Sequence, residues 1–368
     1  LEPLQLIRDQ AADWLDVLGQ EAKATSLRAD HSAMWRDAIT PLRNAISAKE
    51  AMGQDAGMAK VWVAGQMQHG FQVYGDHLYS GDALKVPHVP AAYAENGKPV
   101  DGRLVLRDNF KVMFNRHPEA MVFGEDSGAI GDVNQGLEGM QEAFGETRVS
   151  DTGIREITIM GQGIGLAMRG LRPIAEIQYL DYLLYGMQIL SDDCATVRWR
   201  TAGGQQCPLI VRTRGHRLEG IWHSGSPMGA IIHSIRGMHV CVPRNMTEAA
   251  GMYNTLLEAE EPALVIECLN GYRSKEPLPK NLGDFRIPLG IAEVVRPGTD
   301  VTVVSYGSTF HVASSASETL SSLGIEIELV DARTLLPFDL TGVCSASVAK
   351  TNRLVIVDED VPGGASAY

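Results

Sequence analysis

In the stretch DTGIREITIMGQGIGLAMRGLRPIAEIQYLDY, Asp151 to Tyr182, one carboxylate stands where a short strand gives way to a Gly-rich apolar helix. That residue is Glu156. Placed beside Ile157, Ile159, Met160 and Ile164, it is expected to be buried, and a buried carboxylic acid can exchange a proton with a weakly basic partner. The plainer alternative is a helix N-terminal Glu favoured by the helix dipole. His223, in GIWHSGSP, carries an imidazole that titrates near neutral pH and can give or take a proton; a loop histidine can equally be a solvated polar residue. Tyr182 offers an aromatic face for stacking, or serves as an ordinary core ring. Glu125 and Asp126 of GED end a strand at the edge where ligands collect in α/β sheets, with the holding of local turns as the competing role. His216, in TRGHRLEG, reads as either substrate-side or exposed.

The elements that must carry these residues follow from periodicity. Residues 1 to about 65 have helical spacing, as in Leu4, Ile7, Ala11, Trp14, Leu15 and Leu18, and the polar, Pro-bearing stretch 81–101 reads as a linker. From Leu104 the pattern alternates helix and apolar strand: a helix over Leu104 to Asn115, the strand AMVFGED, the Glu156 helix and a strand over Pro173 to Gln178. A long helix from about Asp181 follows, then PLIVR, MHVCVP, a helix over Thr247 to Glu258, and ALVIE. Such alternation predicts a mostly parallel sheet covered on both faces. After a second linker, SKEPLPKNLGDF, it resumes with DVTVVSYG, IEIELVD and RLVIVDED. The expected fold class is therefore α/β, with two doubly wound domains and a helical N-terminal extension, the second domain incomplete at about four strands. Both chain ends read as cut.

Composition narrows the function classes. A formal net charge of −13 argues against a nucleic-acid surface and leaves no basic stripe for anionic lipid. Hydrophobic residues at 45% and charged ones at 21% allow large cores. Five scattered cysteines without a CxxC pair fit a reduced, cytoplasmic setting, and no apolar run reaches the roughly 18 residues of a membrane span.

Taken together, VFGEDSGAIGDVNQGLEGMQEAFGETRVSDTGIRE, GLRPIAEIQYLDY, HSGSP, TDVTVVSYG, VDARTLLPFD and KTNRLVIVDED resemble the β subunit of the thiamine-diphosphate-dependent 2-oxo acid dehydrogenases, the pyruvate and branched-chain family of the transketolase superfamily. The resemblance spans roughly residues 102–368, with six motifs in order. It implies a helical extension over 1–80, a linker over 81–101, a transketolase-like pyrimidine-binding domain over 102–275 and a truncated transketolase C-terminal domain over 285–368.

The resemblance also assigns roles. Glu156 would share a proton with N1′ of the cofactor's aminopyrimidine, which activates the thiazolium carbon toward the 2-oxo carbon of substrate. Tyr182 would stack on that ring, Glu125 would support it, and His223 would stabilise or protonate the developing intermediate. A structural potassium ion is implied near Leu209, Leu256, Leu257, Ala259 and Glu261. Three departures stand out: Gly225 replaces the usual Gln after HS, Gly153-Ile154-Arg155 replaces Pro-Ile-Ser/Ala before the acid, and Ala259 replaces an acidic residue.

The GDG motif that binds the cofactor's diphosphate through Mg2+ occurs nowhere in the sequence. The family's α subunit supplies that half, so the chain is expected to hold only the pyrimidine end and to be inactive or incomplete without an α-type subunit or domain. Residues 1–80 then read as the tail of a fused α-type region, or as an unrelated added domain. Other implied partners are a second β-type copy and the lipoyl-bearing acyltransferase. The expected reaction is oxidative decarboxylation of a 2-oxo acid with acyl transfer to the lipoyl group, and EIQYLDY favours a branched-chain substrate over pyruvate. Acetoin dehydrogenase, another superfamily enzyme, and a non-catalytic assembly module are the rivals.

Overall fold

Apolar residues spaced three and four apart build the first of two compact units, Leu1–Asp76. In the computed structural model, which describes residues 2–74, 78–218 and 225–359, this unit is four helices, Glu2–Val17, Glu21–Ala29, Trp35–Ala51 and Gly57–Tyr74. Ala11, Ala12 and Leu15 on the first and Ile39, Leu42 and Ile46 on the third are buried together, the stripe that an amphipathic helix presents to its neighbours. Asp37 caps the third helix by accepting the Met34 N–H at 2.9 Å.

The second unit, His77–Tyr368, carries the strands. In chain order they are β1 (Pro99–Asp101), β2 (Ala120–Gly124), β3 (Val149–Asp151), β4 (Arg172–Ile177), β5 (Ile210–Gly215), β6 (His239–Cys241) and β7 (Ala263–Cys268). Then come β8 (Lys275–Pro277), β9 (Glu293–Arg296), β10 (Val301–Ser305), β11 (Ile327–Asp331), β12 (Thr334–Leu336) and β13 (Leu354–Ile356). Seven form one sheet in the order β12-β6-β7-β5-β4-β2-β3, and four form a second in the order β13-β10-β11-β9. All pairings in the larger sheet are parallel except β12 with β6. The short pair β1 and β8 joins the two stretches expected to be linkers.

Burial on both faces explains why the central strands read as unbroken apolar runs: every residue of β5 and β7 is buried. Helix Glu156–Ala167 lies on this sheet through its glycines. A Cβ at Gly163 would stand 2.7 Å from Leu209 Cδ1 and 3.3 Å from Ala175 Cβ, so a larger residue would push the helix off.

Two elements differ from expectation. The long helix from Asp181 is broken into a 3-10 segment Leu180–Gly186, a short α turn Met187–Ile189, a π segment Leu190–Cys194 and a last α turn Val197–Arg200. A Cβ at Gly186 would come 3.0 Å from Met160 Cγ, so the chain there is pressed against the Glu156 helix. The other difference is β12, which leaves the second sheet after β11 and pairs antiparallel with β6 of the first.

Near this crossing a charge cluster joins the two sheets. Arg244 sits 3.0 Å from Glu248, 2.8 Å from Glu293 and 2.5 Å from Asp331, and Arg333 also meets Glu248, at 3.0 Å, and Glu293. Among the described residues no helix is long and apolar enough to cross a membrane, and the five cysteines are free.

Candidate active site

The strand order brings the predicted residues to one place, the carboxyl edge of the larger sheet. Glu125 follows β2, Glu156 opens the helix after β3, and Tyr182 lies in the 3-10 segment after β4; β2 is flanked by β3 and β4. Their charges act on one another. Burial raises the Glu125 carboxyl above its ordinary range, with the negative charges of Asp126 and Glu156 adding to it. Burial also raises the Tyr182 phenol, and Glu125, Tyr179, Glu156 and Asp181 contribute in the same direction. The ring of Tyr179 meets that of Tyr182 edge-on at 6.0 Å between centroids.

The expected burial of Glu156 is met on one side only. Ile159, Met160 and Ile164 are buried against the sheet, but Glu156 itself is half-buried. Ile157 is 50% and Ile154 73% exposed. The helix is apolar around most of its circumference, and the sheet covers only the inward stripe.

His216 is neither exposed nor open. Its side chain is fully buried, stacked on Tyr306 with centroids 4.9 Å apart, and its Nδ1 accepts the Ser308 N–H at 2.8 Å. Burial pushes the imidazole down to about 4 against the opposing charge of Asp358, so the ring is neutral near pH 7. Because Nδ1 accepts, Nε2 carries the proton. This residue ties the loop after β5 to the helix Gly307–Ser321. His223 lies outside the described residues, as do its neighbours 219–224.

The five potassium candidates stand at the opposite, amino edge of the sheet. The Leu209 carbonyl accepts from Ala263 N–H at 2.9 Å and the Leu256 carbonyl from Ala259 N–H at 3.1 Å. The Ala259 carbonyl takes the guanidinium of Arg172, and Leu257 is buried in the apolar core. Glu261 accepts the N–H groups of Gly81 and Ala83 at 2.9 and 3.0 Å and pairs with His239 Nε2 at 2.9 Å. Burial opposes its charge, but the His239 contact and these two N–H groups hold the carboxyl down to about 2. Glu261 thus anchors the segment before β1.

Beneath the carboxyl edge lies a group of residues that sequence reading passed over. Side chains two apart on a strand share a face, so Arg212 and Arg214 of β5 point to the same side. There they meet Glu176 of β4, Glu267 of β7 and Asp132 of the loop after β2, all fully buried. Arg212 donates to Asp132 at 2.9 Å, to Glu267 at 2.9 Å, to Tyr272 Oη at 3.1 Å and to Glu176. Arg214 donates to Glu176 at 2.9 Å, to Tyr272 Oη at 2.9 Å and to the Gln178 carbonyl at 3.0 Å. A signal was present: AEI, VRTRG and VIE each place a charge near the carboxyl end of an otherwise apolar run.

The loop between β2 and β3 is clamped from two sides. Asp151 accepts the N–H groups of Gly128 and Ala129 at 2.6 and 2.9 Å, and Asp132 accepts those of Asn134 and Gly136 at 2.6 and 3.1 Å. Within it, Asp126, Asp132 and Gln135 hold positive φ values of 60°, 68° and 64°, conformations that side-chain-bearing residues keep only when surrounding contacts enforce them.

Comparison with known proteins agrees with this architecture. Residues 98–274 match the family model of the transketolase pyrimidine-binding domain and residues 290–367 that of the transketolase C-terminal domain. The chain is 35% identical over 256 residues to the 2-oxoisovalerate dehydrogenase subunit beta of Bacillus subtilis (strain 168), covering 69% of this chain and 77% of that one. It is 35% identical over 243 residues to the pyruvate dehydrogenase E1 component subunit beta of Acholeplasma laidlawii, covering 66% and 73%. Among solved structures the fold is like that of a split gene transketolase, an inactive beta4 tetramer, with TM-score 0.59 at 21% identity over 73% of this chain and 81% of that one. A transketolase mutant from Pichia stipitis superposes with TM-score 0.54 at 13% identity, over 94% of this chain and 51% of its own.

Proposed function

This chain belongs to the family of 2-oxo acid dehydrogenase E1 β subunits, and from that premise we propose that it forms the pyrimidine half of a thiamine-diphosphate site for oxidative decarboxylation of a 2-oxo acid. The observation that carries the reading is the convergence of Glu125, Glu156 and Tyr182 from three successive strand ends. A carboxylate at a helix start beside an aromatic face is the donor set that an aminopyrimidine ring requires: a proton partner for a ring nitrogen and a flat apolar surface. When bound, the cofactor supplies a carbon nucleophile that adds to the 2-oxo group and accepts the electron pair released with carbon dioxide.

In this reading Glu156 holds and returns a proton at the ring nitrogen. Tyr182 fixes the plane of the ring, and Glu125, whose carboxyl is raised by burial and by the charges of Asp126 and Glu156, supports the site from the neighbouring strand end. His223 acts later, as an acid toward substrate-derived oxygen. The exposed Ile154 and Ile157 fit a surface completed by an α-type subunit, which also brings the Mg2+ and diphosphate contacts that the absent GDG motif would have supplied. A second β-type copy and the lipoyl-bearing acyltransferase are the further proposed partners. A branched-chain acid is proposed ahead of pyruvate as substrate.

The test is deuterium exchange at the cofactor's thiazolium C2 in the complex with an α-type subunit, read by quenched-flow NMR. Glu156→Gln should slow exchange by roughly a hundredfold or more, within the range attributed to positioned proton transfer, while the fold is kept. Exchange at the wild-type rate would overturn the assignment. Tight binding of thiamine diphosphate with magnesium by this chain alone would overturn the half-site.

A further inference from the structure

We propose that Arg214 is a positioning residue for the pyrimidine half-site, holding together the two segments that present Glu125 and Tyr182; this rests on the function proposed above. The observation is how its one guanidinium is shared. Nη1 donates to the carbonyl of Gln178 at 3.0 Å, just past the end of β4 and four residues before Tyr182. Nη2 lies 2.9 Å from Glu176 Oε1 and 3.0 Å from Asp132 Oδ2. Nε donates to Tyr272 Oη at 2.9 Å.

From Gln178 and Asp132 the connection continues to the other segment. The Gln178 side-chain amide donates to Asp126 Oδ2 at 3.1 Å, and the Asp132 N–H donates to the Asp126 carbonyl at 2.7 Å. Asp126 adjoins Glu125 and sits at φ 60°. Arg214 therefore grips both ends of a closed path, Gln178 to Asp126 to Asp132, through positions whose backbone would relax if released.

A charge alone would not do this. The planar guanidinium fork reaches four groups on three segments at once, whereas a lysine ammonium offers a single point of attachment. Arg214→Lys keeps the positive charge among Asp132, Glu176 and Glu267 while losing the fork. Its expected effect is local: the Gln178 carbonyl comes free, the loop bearing Glu125 loosens, and the stacking turn shifts.

The experiment uses the complex with an α-type subunit and two readouts, thiamine diphosphate affinity by calorimetry at fixed magnesium and thermal midpoint. Arg214→Lys should weaken cofactor binding about tenfold or more while the complex still assembles. Gln178→Leu, which cuts the side-chain link to Asp126 at a half-buried position, should weaken it about threefold to fivefold with the midpoint nearly unchanged. If Arg214→Lys does not fold, Gln178→Leu decides alone. Cofactor affinity within twofold of wild type in the variants that fold, whatever the midpoint, overturns the proposal and leaves Arg214 a structural ion-pair partner. A wild-type complex that binds no thiamine diphosphate would instead defeat the proposed function itself, so the two failures are distinguishable.

Discussion

Two arginine pairs in this molecule each face three carboxylates, yet one cluster is sealed and the other reaches solvent at its rim. Arg212 and Arg214, with Asp132, Glu176 and Glu267, are all 0% exposed, and both guanidinium groups are hydrogen-bonded through all their nitrogens. Arg244 and Arg333, with Glu248 and Glu293, border a crevice of about 470 Å3 that His88, Tyr93 and His311 also line, and Asp331 lies buried beneath them. There the Glu293 side chain is 38% exposed, and Arg333 Nε and both Glu248 oxygens have no aligned hydrogen-bond partner. Burial pushes Glu248 up to about 7, Asp331 adds to that, and the pull of Arg333 and Arg244 opposes it. The first group is a fully satisfied network that fixes positions; the second is a joint whose charge can adjust by taking up a proton.

The widest gap between them should appear on deleting one guanidinium from the first. Arg212→Met leaves three buried carboxylates with a single cation, at a cost of about 3–5 kcal/mol, read as a collapse of the urea midpoint. Near-wild-type stability would mean that the network is not a unit.

A smaller effect, of distinctive shape, is expected at the joint. Glu248 titrates at about 7 in the folded chain against an ordinary 4.5, so between these values the folded state binds more proton than the unfolded one. The stability it contributes is full below 4.5 and is lost as pH rises through 7. The stability of wild type minus that of Glu248→Gln should therefore decline between pH 5 and pH 8, by on the order of 2 kcal/mol. A flat difference would show that the joint does not adjust.

The smallest effect belongs to Arg333→Met at pH 6, where Glu248 is mostly protonated and Arg244 remains 2.8 Å from Glu293. About 1 kcal/mol is expected. A loss equal to that of Arg212→Met would erase the distinction between the two regions.

Much of the fold was legible because parallel strands buried on both faces leave continuous apolar runs, as in β4, β5 and β7. The places of Glu125 and Tyr182 in the chain were legible for a related reason, since they follow the apolar runs of β2 and β4, whereas Glu156 follows only the three residues of β3 and was marked by the Gly-rich apolar helix it opens. The strand β12 was not, because three residues with no alternation carry no signal of which sheet they join. Arg212 and Arg214 were hidden because the expected strand PLIVR stops at Arg212, whereas β5 runs on to Gly215, and the opposing charges lie far away in sequence, at 132, 176 and 267. The half-exposure of Glu156 was missed because local apolarity does not say what covers a helix's outer side. His216 was misread because its partner, Ser308, is 92 residues away.

The crossing of β12 has a consequence for any attempt to divide the chain. The backbone groups on the outer side of β6 are paired only when Thr334 and Leu336 lie beside Cys241 and Val240. A fragment ended between the two matched domains would expose that edge, and an open strand edge is a template for joining other chains. Such a fragment should self-associate on expression, and during synthesis the border of the first sheet can be sealed only once the second domain has been made through Leu336.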